Sequence, residues 1–230
     1  MKTIYKMKKK YFLIILVITL FQIKTYSQES KIKYSIQGGV NSSNLRGYNP
    51  LGDVKFSIAY LFGASFEYKI KDKISLKVDV NYERKVQKTD DKIDLYNPDM
   101  TLEGTYTVEI TNYSNYIVLP ILVKYNFSKY NTFYLKGGPF LGFLINSGTK
   151  SDSDVDWLDS GTIKTTKYNK TLDFGMSFGI GKQFKMNGEN KIYLEFRDNL
   201  GLVNTREAPV YGNGKMMTNS VNLIVGYVIN

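Results

Sequence analysis

The chain has 230 residues, enough for one or two domains, and carries 31 basic against 21 acidic residues, a net +10 at pH 7. It has no Cys and no His, which excludes disulfides, thiolate metal sites, thiol nucleophiles, a lipid-modified N-terminal cysteine and the usual imidazole base or ligand. The surplus that would invite a nucleic-acid reading is local: six lysines (Lys2, Lys6, Lys8, Lys9, Lys10, Lys24) and no acid fall in residues 1–27, leaving 25 basic and 21 acidic residues, a net +4.

Those first residues read as an address. Lys6–Lys10 (KMKKK) form a positive n-region, and Tyr11–Ile23 is a 13-residue apolar core. Small residues follow at Thr25 and Ser27, so cleavage is expected between Ser27 and Gln28. At 1.5 Å per residue the core spans roughly 20 Å, short of the roughly 30 Å needed for a membrane helix. The expected organisation is a signal peptide over 1–27 and one domain over 28–230.

From Lys31 onward the pattern is alternation, the signature of strands with two unlike faces. Ile32, Tyr34 and Ile36 mark the first strand. The second is the clearest: Phe56, Ile58, Tyr60, Phe62, Ala64, Phe66, Tyr68 and Ile70 alternate with Lys55, Ser57, Ala59, Leu61, Gly63, Ser65, Glu67 and Lys69. Ile74–Tyr82 gives the third, and Ile117–Phe127, extended back to about Thr105, the fourth. Phe133–Ile145, Leu172–Ile180, Ile192–Phe196 and Val221–Ile229 give the remaining four. No helix is expected after the leader. Short connections at Lys71–Lys73, Ser128–Asn131 and Lys185–Asn190 alternate with long polar ones at Asn41–Val54, Gln87–Gly104, Asn146–Lys167 and Asn204–Thr218. The expectation is an all-β, eight-stranded, antiparallel up-and-down transmembrane β-barrel with short periplasmic turns, long extracellular loops and both termini on the periplasmic side.

The apolar face should point outward, to lipid. It carries the bulky Phe, Tyr, Ile and Leu, while the other face carries Gly, Ser and Ala, which suit a narrow lumen better than aromatics do. The polar face also holds both signs, Glu67, Lys77, Asp79, Glu83, Lys136, Asp173, Glu195 and Arg197, which can pair inside a lumen where lone charges would be costly. Tyr68, Phe127, Phe133, Phe184 and Tyr227, near strand ends, suit an interfacial girdle. Pro120 and Pro139 inside strands call for bulges or irregular ladder positions. Asp198, on the lipid face, calls for a bulge or the end of the membrane band, and register near Asn112–Tyr116 is open.

TYSQ (25–28), NYIVLPILVKYNF (115–127), FYLKGGPFLGF (133–143), LDFGMSFGIGKQF (172–184) and VNLIVGYVIN (221–230) resemble the PorT-like outer-membrane β-barrel proteins of Bacteroidetes. The resemblance covers essentially the whole domain and implies a small outer-membrane barrel. Some members are linked to type IX secretion. The chain departs from the pattern in ending Ile229-Asn230, without a final aromatic residue, although Tyr227 is close.

Small outer-membrane barrel enzymes use a His with Ser, Asn or Asp, a mechanism closed here. A carboxylate-only hydrolase through Asp79, Glu83 or Glu195 is the alternative to an inward ion-pair cluster with Lys77, Lys136 and Arg197, and the cluster is the expectation. Asp152, Asp154 and Asp156 have the spacing that opens a calcium loop. Trp157 at the sixth position and Ile163 at the twelfth reject an EF-hand, leaving a loose divalent-cation or lipopolysaccharide-bridging site against a solvated acidic loop. Trp157 itself reads as a loop anchor or a partner contact. Gly179-Ile180-Gly181 precedes no helix, so a dinucleotide site fails its context. These glycines instead let inward backbone approach bulky neighbours or allow curvature. Dispersed basic residues reject nucleic-acid binding.

The sequence thus leads to a non-enzymatic protein of the cell outer membrane, exported by signal-peptide removal and without a cofactor. Its partners would be outer-membrane lipid, lipopolysaccharide and an envelope protein, met through surface loops. The alternatives are a type IX secretion accessory, from the resemblance alone, a soluble periplasmic lipocalin-like carrier of small ligands, and a small porin.

Overall fold

The computed structural model describes residues 31–47, 53–128, 132–153, 161–186, 190–207 and 215–229. The leader with its Ser27/Gln28 site, Asp154, Asp156 and Trp157 lie outside the described residues. Among the described residues the strands are β1 Ile32–Arg46, β2 Asp53–Lys55, β3 Ala59–Lys71, β4 Ile74–Tyr96, β5 Leu102–Asn126, β6 Phe133–Ser153, β7 Gly161–Lys164, β8 Leu172–Lys185, β9 Lys191–Gly201 and β10 Met217–Ile229. A 3-10 turn spans Thr166–Tyr168.

Eight of these strands form a ring in the order β4–β3–β1–β10–β9–β8–β6–β5, closed by β5 on β4, with antiparallel pairing throughout. The faces follow the alternation. Phe62, Val123, Phe178 and Val225 are 52–56% exposed on the outer wall, whereas Leu61, Leu122, Ser177 and Ile224 beside them are 0–3% exposed. A soluble carrier needs the reverse arrangement. An apolar belt this extensive is stable only against lipid.

The structure corrects the strand boundaries. The alternating run from Lys55 to Ile70 is not one strand: β3 starts at Ala59, and Asp53–Lys55 pairs separately with β4. The segment Gln87–Gly104, expected as a loop, is mostly hairpin, because β4 runs to Tyr96 and β5 begins at Leu102. β6 likewise continues to Ser153, where β7 pairs back onto it. The extensions carry only Ile93, Leu95, Tyr96 and Leu102 among polar residues and Gly, too few to announce a strand by hydrophobic alternation. At about 3.3 Å per residue, Val86–Tyr96 carries the hairpin about 35 Å beyond Lys85. The order β2–β4–β5–β6–β7 makes a sheet that projects from the loop end.

The prolines interrupt the ladder without shifting it. Between β5 and β6 the pairing Pro120↔Phe140 resumes at Val123↔Gly137 in the same register, so no bulge is needed there. The bulge falls instead between Asn115 and Tyr116, inside the segment whose register the sequence left open. Asp198 sits on the outer face with no register shift on either side of β9, three residues before its loop end at Gly201. That matches the end of the membrane band.

Candidate functional site

Inward positions on six strands bring ten charged side chains to the barrel axis. Lys77, Lys85, Lys124, Lys136 and Arg197 face Glu67, Asp79, Glu83, Asp173 and Glu195, five of each sign. Lys85 and Lys124 lie beside the eight charged residues read from the sequence.

The charges lie in layers. In the middle, Arg197 donates through Nη2 to Asp79 Oδ2 at 2.6 Å and through Nε to Glu195 Oε1 at 2.7 Å. Lys136 Nζ lies 2.7 Å from Glu195 Oε2 and 3.8 Å from Asp79, at angles that make ion pairs rather than hydrogen bonds. Tyr134 donates its hydroxyl to Glu195 at 2.9 Å. Lys77 lies 3.7 Å from Asp79 and donates to the Tyr193 hydroxyl at 3.1 Å, which donates to Gln37 at 2.5 Å. Toward the loop end, Glu83 accepts from Ser220 and Asn199, and Asp173 accepts from Thr218 at 2.6 Å and Lys85 at 3.3 Å. Toward the turns, Lys124 pairs with Glu67 at 2.9 Å and sits over the Tyr134 ring. Charges so desolvated persist because nine of them find a partner of opposite sign, while Glu83 is held by the Ser220 and Asn199 side chains.

The lumen also corrects an expectation. It is not filled by small residues and charges alone, since Tyr116, Tyr134, Phe140 and Tyr193 are 1–2% exposed inside it. Glycines on neighbouring strands make the room. Tyr134 pairs with Gly181, Phe140 with Gly175 and Tyr193 with Gly226 across the ladder. A Cβ at Gly181 would fall 2.3 Å from Tyr134 Cζ. The signal was present in the sequence: Lys124 and Tyr134 occupy inward positions of their strands, and Lys85 follows Glu83 by two.

Above the packed lumen, a cleft opens at the loop end. Its lining includes Lys85, Tyr113, Tyr116, Asn169, Arg206 and Thr218. The 3-10 turn is held beside it by Thr165 N donating to Ser147 O and by Asn169 Nδ2 donating to Ser147 Oγ. The Arg206 Nε donates to the Met216 sulfur, a weak acceptor, and among the described residues no carboxylate lines the cleft. Asp152 lies on β6 and is engaged by Lys150 at 2.6 Å. Among the described residues no group of three or more His, Cys, Asp or Glu is placed to hold a metal.

The family model described as outer membrane protein beta-barrel domain matches residues 26–207. The chain belongs to this family. The match takes in β1 to β9, and β10 beyond it closes the barrel of this outer-membrane protein on β1. No curated protein matches the chain. Among solved structures it is similar to Ail, the attachment invasion locus protein of Yersinia pestis, at 12% identity and TM-score 0.39 over 88% of this chain and 100% of that one. It is similar to Neisserial surface protein A at 12% identity and TM-score 0.41, over 88% and 99%. It is similar also to the outer membrane protease OmpT of Escherichia coli, at 10% identity and TM-score 0.35, over 89% and 98%.

Proposed function

We propose that this barrel is a non-enzymatic interaction protein of the outer membrane that meets a partner or lipopolysaccharide through its loop end. The observation that carries this reading is the lumen, in which five cations and five carboxylates pack around four buried aromatic rings. A strand ring of this size leaves space only for side chains, and here that space is taken, which argues against a small porin. The carboxylates that a His-free hydrolase would need, Asp79, Glu83 and Glu195, are 0–1% exposed and committed to lumen partners, out of reach of a substrate. What faces outward is the cleft and the projecting β2–β4–β5–β6–β7 sheet.

Crosslinked pull-down from outer membranes tests the reading, comparing the native chain with one whose Glu103, Tyr106 and Ile163 on the projecting sheet are changed to Ala. A partner or lipopolysaccharide captured by the first and lost from the second is the expected result. Porin-level conductance in planar bilayers, or capture independent of the loop end, would overturn it. Membership of the PorT-like group and a place in type IX secretion rest on the sequence resemblance, and normal secretion after gene deletion would remove the latter. Export by removal of residues 1–27 is tested by N-terminal sequencing of the mature protein, expected to begin at Gln28.

A further inference from the structure

The lumen mouth at the turn end carries an excess of one charge. Strand alternation puts Lys33 on β1, Glu67 and Lys69 on β3, Lys124 on β5, Lys185 on β8 and Lys191 on β9 on the inner side of the wall. Lys191 stands opposite the inward Val228 on one side and opposite Lys185 on the other. Glu67 gives its carboxylate to Lys124 at 2.9 Å, although Lys33 faces it across the ladder, and Asp72 is taken by Lys69 at 3.2 Å. Among the described residues this leaves Lys33, Lys185 and Lys191 with no carboxylate at pairing distance. The loop end is built otherwise, with Lys55 paired to Asp90, Lys88 to Glu109 and Lys150 to Asp152.

The cations form one group. Lys191 lies within electrostatic reach of Lys33, Lys124 and Lys185, with Glu67 as the nearby acid. Lys185 is exposed and Lys33 and Lys191 are half-buried, so the mouth is open to solvent. Its floor is close below: Lys124 is 3% exposed and lies 4.6 Å from the centre of the buried Tyr134 ring. Like charges directly opposite destabilise a ladder, and the barrel itself supplies nothing that neutralises Lys185 and Lys191 among its described residues. The inner side of the wall turns these ammonium groups away from the acyl chains, so their counter-charge arrives along the barrel axis from the periplasm and stops at the Lys124–Glu67 floor. Neighbouring strands lie about 4.8 Å apart, so Lys33, Lys191 and Lys185, on β1, β9 and β8 with β10 between, span an arc of about 14 Å. Repelling ammonium groups spread along such an arc instead of converging on one small anion. In an extended chain, alternate side chains lie about 7 Å apart on one side, which matches that arc with two or three carboxylates.

We propose that the periplasmic mouth of the lumen binds an extended acidic peptide segment of an envelope protein, its carboxylates meeting Lys33, Lys185 and Lys191. The peptide relieves the repulsion between Lys185 and Lys191. This site lies at the opposite end of the barrel from the loop-end surface and does not depend on it.

The test uses the full chain in phosphatidylcholine nanodiscs and a fluorescein-labelled peptide of alternating Glu and Ser, with its Gln and Ser counterpart as control, read by fluorescence anisotropy. Binding of the acidic peptide alone is expected, weakened about two- to fivefold by each of Lys33→Gln, Lys185→Gln and Lys191→Gln, the worth of an exposed ion pair. Lys182→Gln, on the outer face of the same strand as Lys185, should keep the affinity. So should a loop-end triple, Lys92→Gln, Lys164→Gln and Lys167→Gln. Heat-modifiable migration on gels reports whether each variant is folded. If the mouth triple fails to fold, the single Lys191→Gln variant, which removes a like-charge pair, carries the test with the same fall expected. Equal binding of the two peptides, native affinity in the mouth variants, or an equal fall in Lys182→Gln or in the loop-end triple overturns the proposal. So does displacement of the peptide by inorganic phosphate beyond that by chloride at equal ionic strength, which would assign the mouth to a small anion.

Discussion

The Tyr193 ring on β9 lies across Gly226 on β10, so that a Cβ at 226 would fall 2.1 Å from Tyr193 Cζ. The ring lies along the barrel wall because its partner has no side chain. In that position the Tyr193 hydroxyl reaches both Lys77 and Gln37.

Gly226→Ala is therefore expected to push Tyr193 off its partners and destabilise the barrel by about 1–3 kcal/mol, the usual range for overpacking. Urea unfolding in detergent micelles reads the loss. The double variant Gly226→Ala/Tyr193→Leu should recover part of it, because the clash disappears with the ring. Strict additivity of the two substitutions would show that the clash does not operate.

The middle charge layer predicts two unlike outcomes for two equally buried ions. Asp79 accepts from Arg197 and faces Lys77 and Lys136, so Asp79→Asn leaves three cations around Glu195 alone. A loss of about 3–5 kcal/mol is expected, as for any broken buried pair. Lys136 makes ion contacts without a well-directed hydrogen bond, and Glu195 retains Arg197 and Tyr134 without it. Lys136→Met should change stability by about 1 kcal/mol or less, since an apolar side chain of similar length replaces a desolvated charge. Equal losses in the two variants would refute this division of labour.

The lumen was legible where alternation was strict. Glu67, Lys77, Asp79, Glu195 and Arg197 stand opposite bulky apolar neighbours, and period two alone puts them inside. The buried aromatics were legible in position but not in packing. Tyr134 and Tyr193 fall on the inward phase of their strands, but the room for their rings depends on glycines far away in sequence, across a ladder whose register no local pattern gives. The projecting hairpin was hidden for a different reason. Lys88–Asp94 is polar except for Ile93, so cross-strand pairing with Thr105–Thr111, rather than a hydrophobic alternation, makes it a strand. Of the cleft, only the separate loops were readable. Lys85, Tyr116 and Arg206 meet there because the ring closes, and closure leaves no local mark in a sequence.

At the tip of the β4–β5 hairpin, Met100 has φ of 64° and is 82% exposed. A left-handed conformation costs a side-chain-bearing residue about 1–2 kcal/mol, and an exposed Met gains nothing from packing there. Met100→Gly should slow amide exchange along the hairpin, by severalfold at most, because the added freedom of Gly in the unfolded chain offsets part of the relief. The barrel's unfolding midpoint should not move, since the tip lies far beyond the membrane band. Faster exchange in the variant would mean that Met100 is held by contacts at the tip.

The same tip carries a pH dependence of defined sign. Asp99 Oδ1 accepts from the Thr101 hydroxyl at 2.6 Å and from the Thr101 backbone N–H at 3.1 Å. These two bonds, the hydroxyl first, hold the Asp99 carboxyl below its ordinary range. A lowered folded value means that the ionised carboxylate favours the closed turn at all pH above the ordinary Asp range. That support is lost as pH falls through the lowered value. Following the Thr101 amide resonance during acid titration should therefore give a midpoint below about 3.9, the value of a free Asp side chain. Asp99→Asn should flatten the titration. A midpoint at or above the free value would show that Thr101 does not hold the carboxylate in solution.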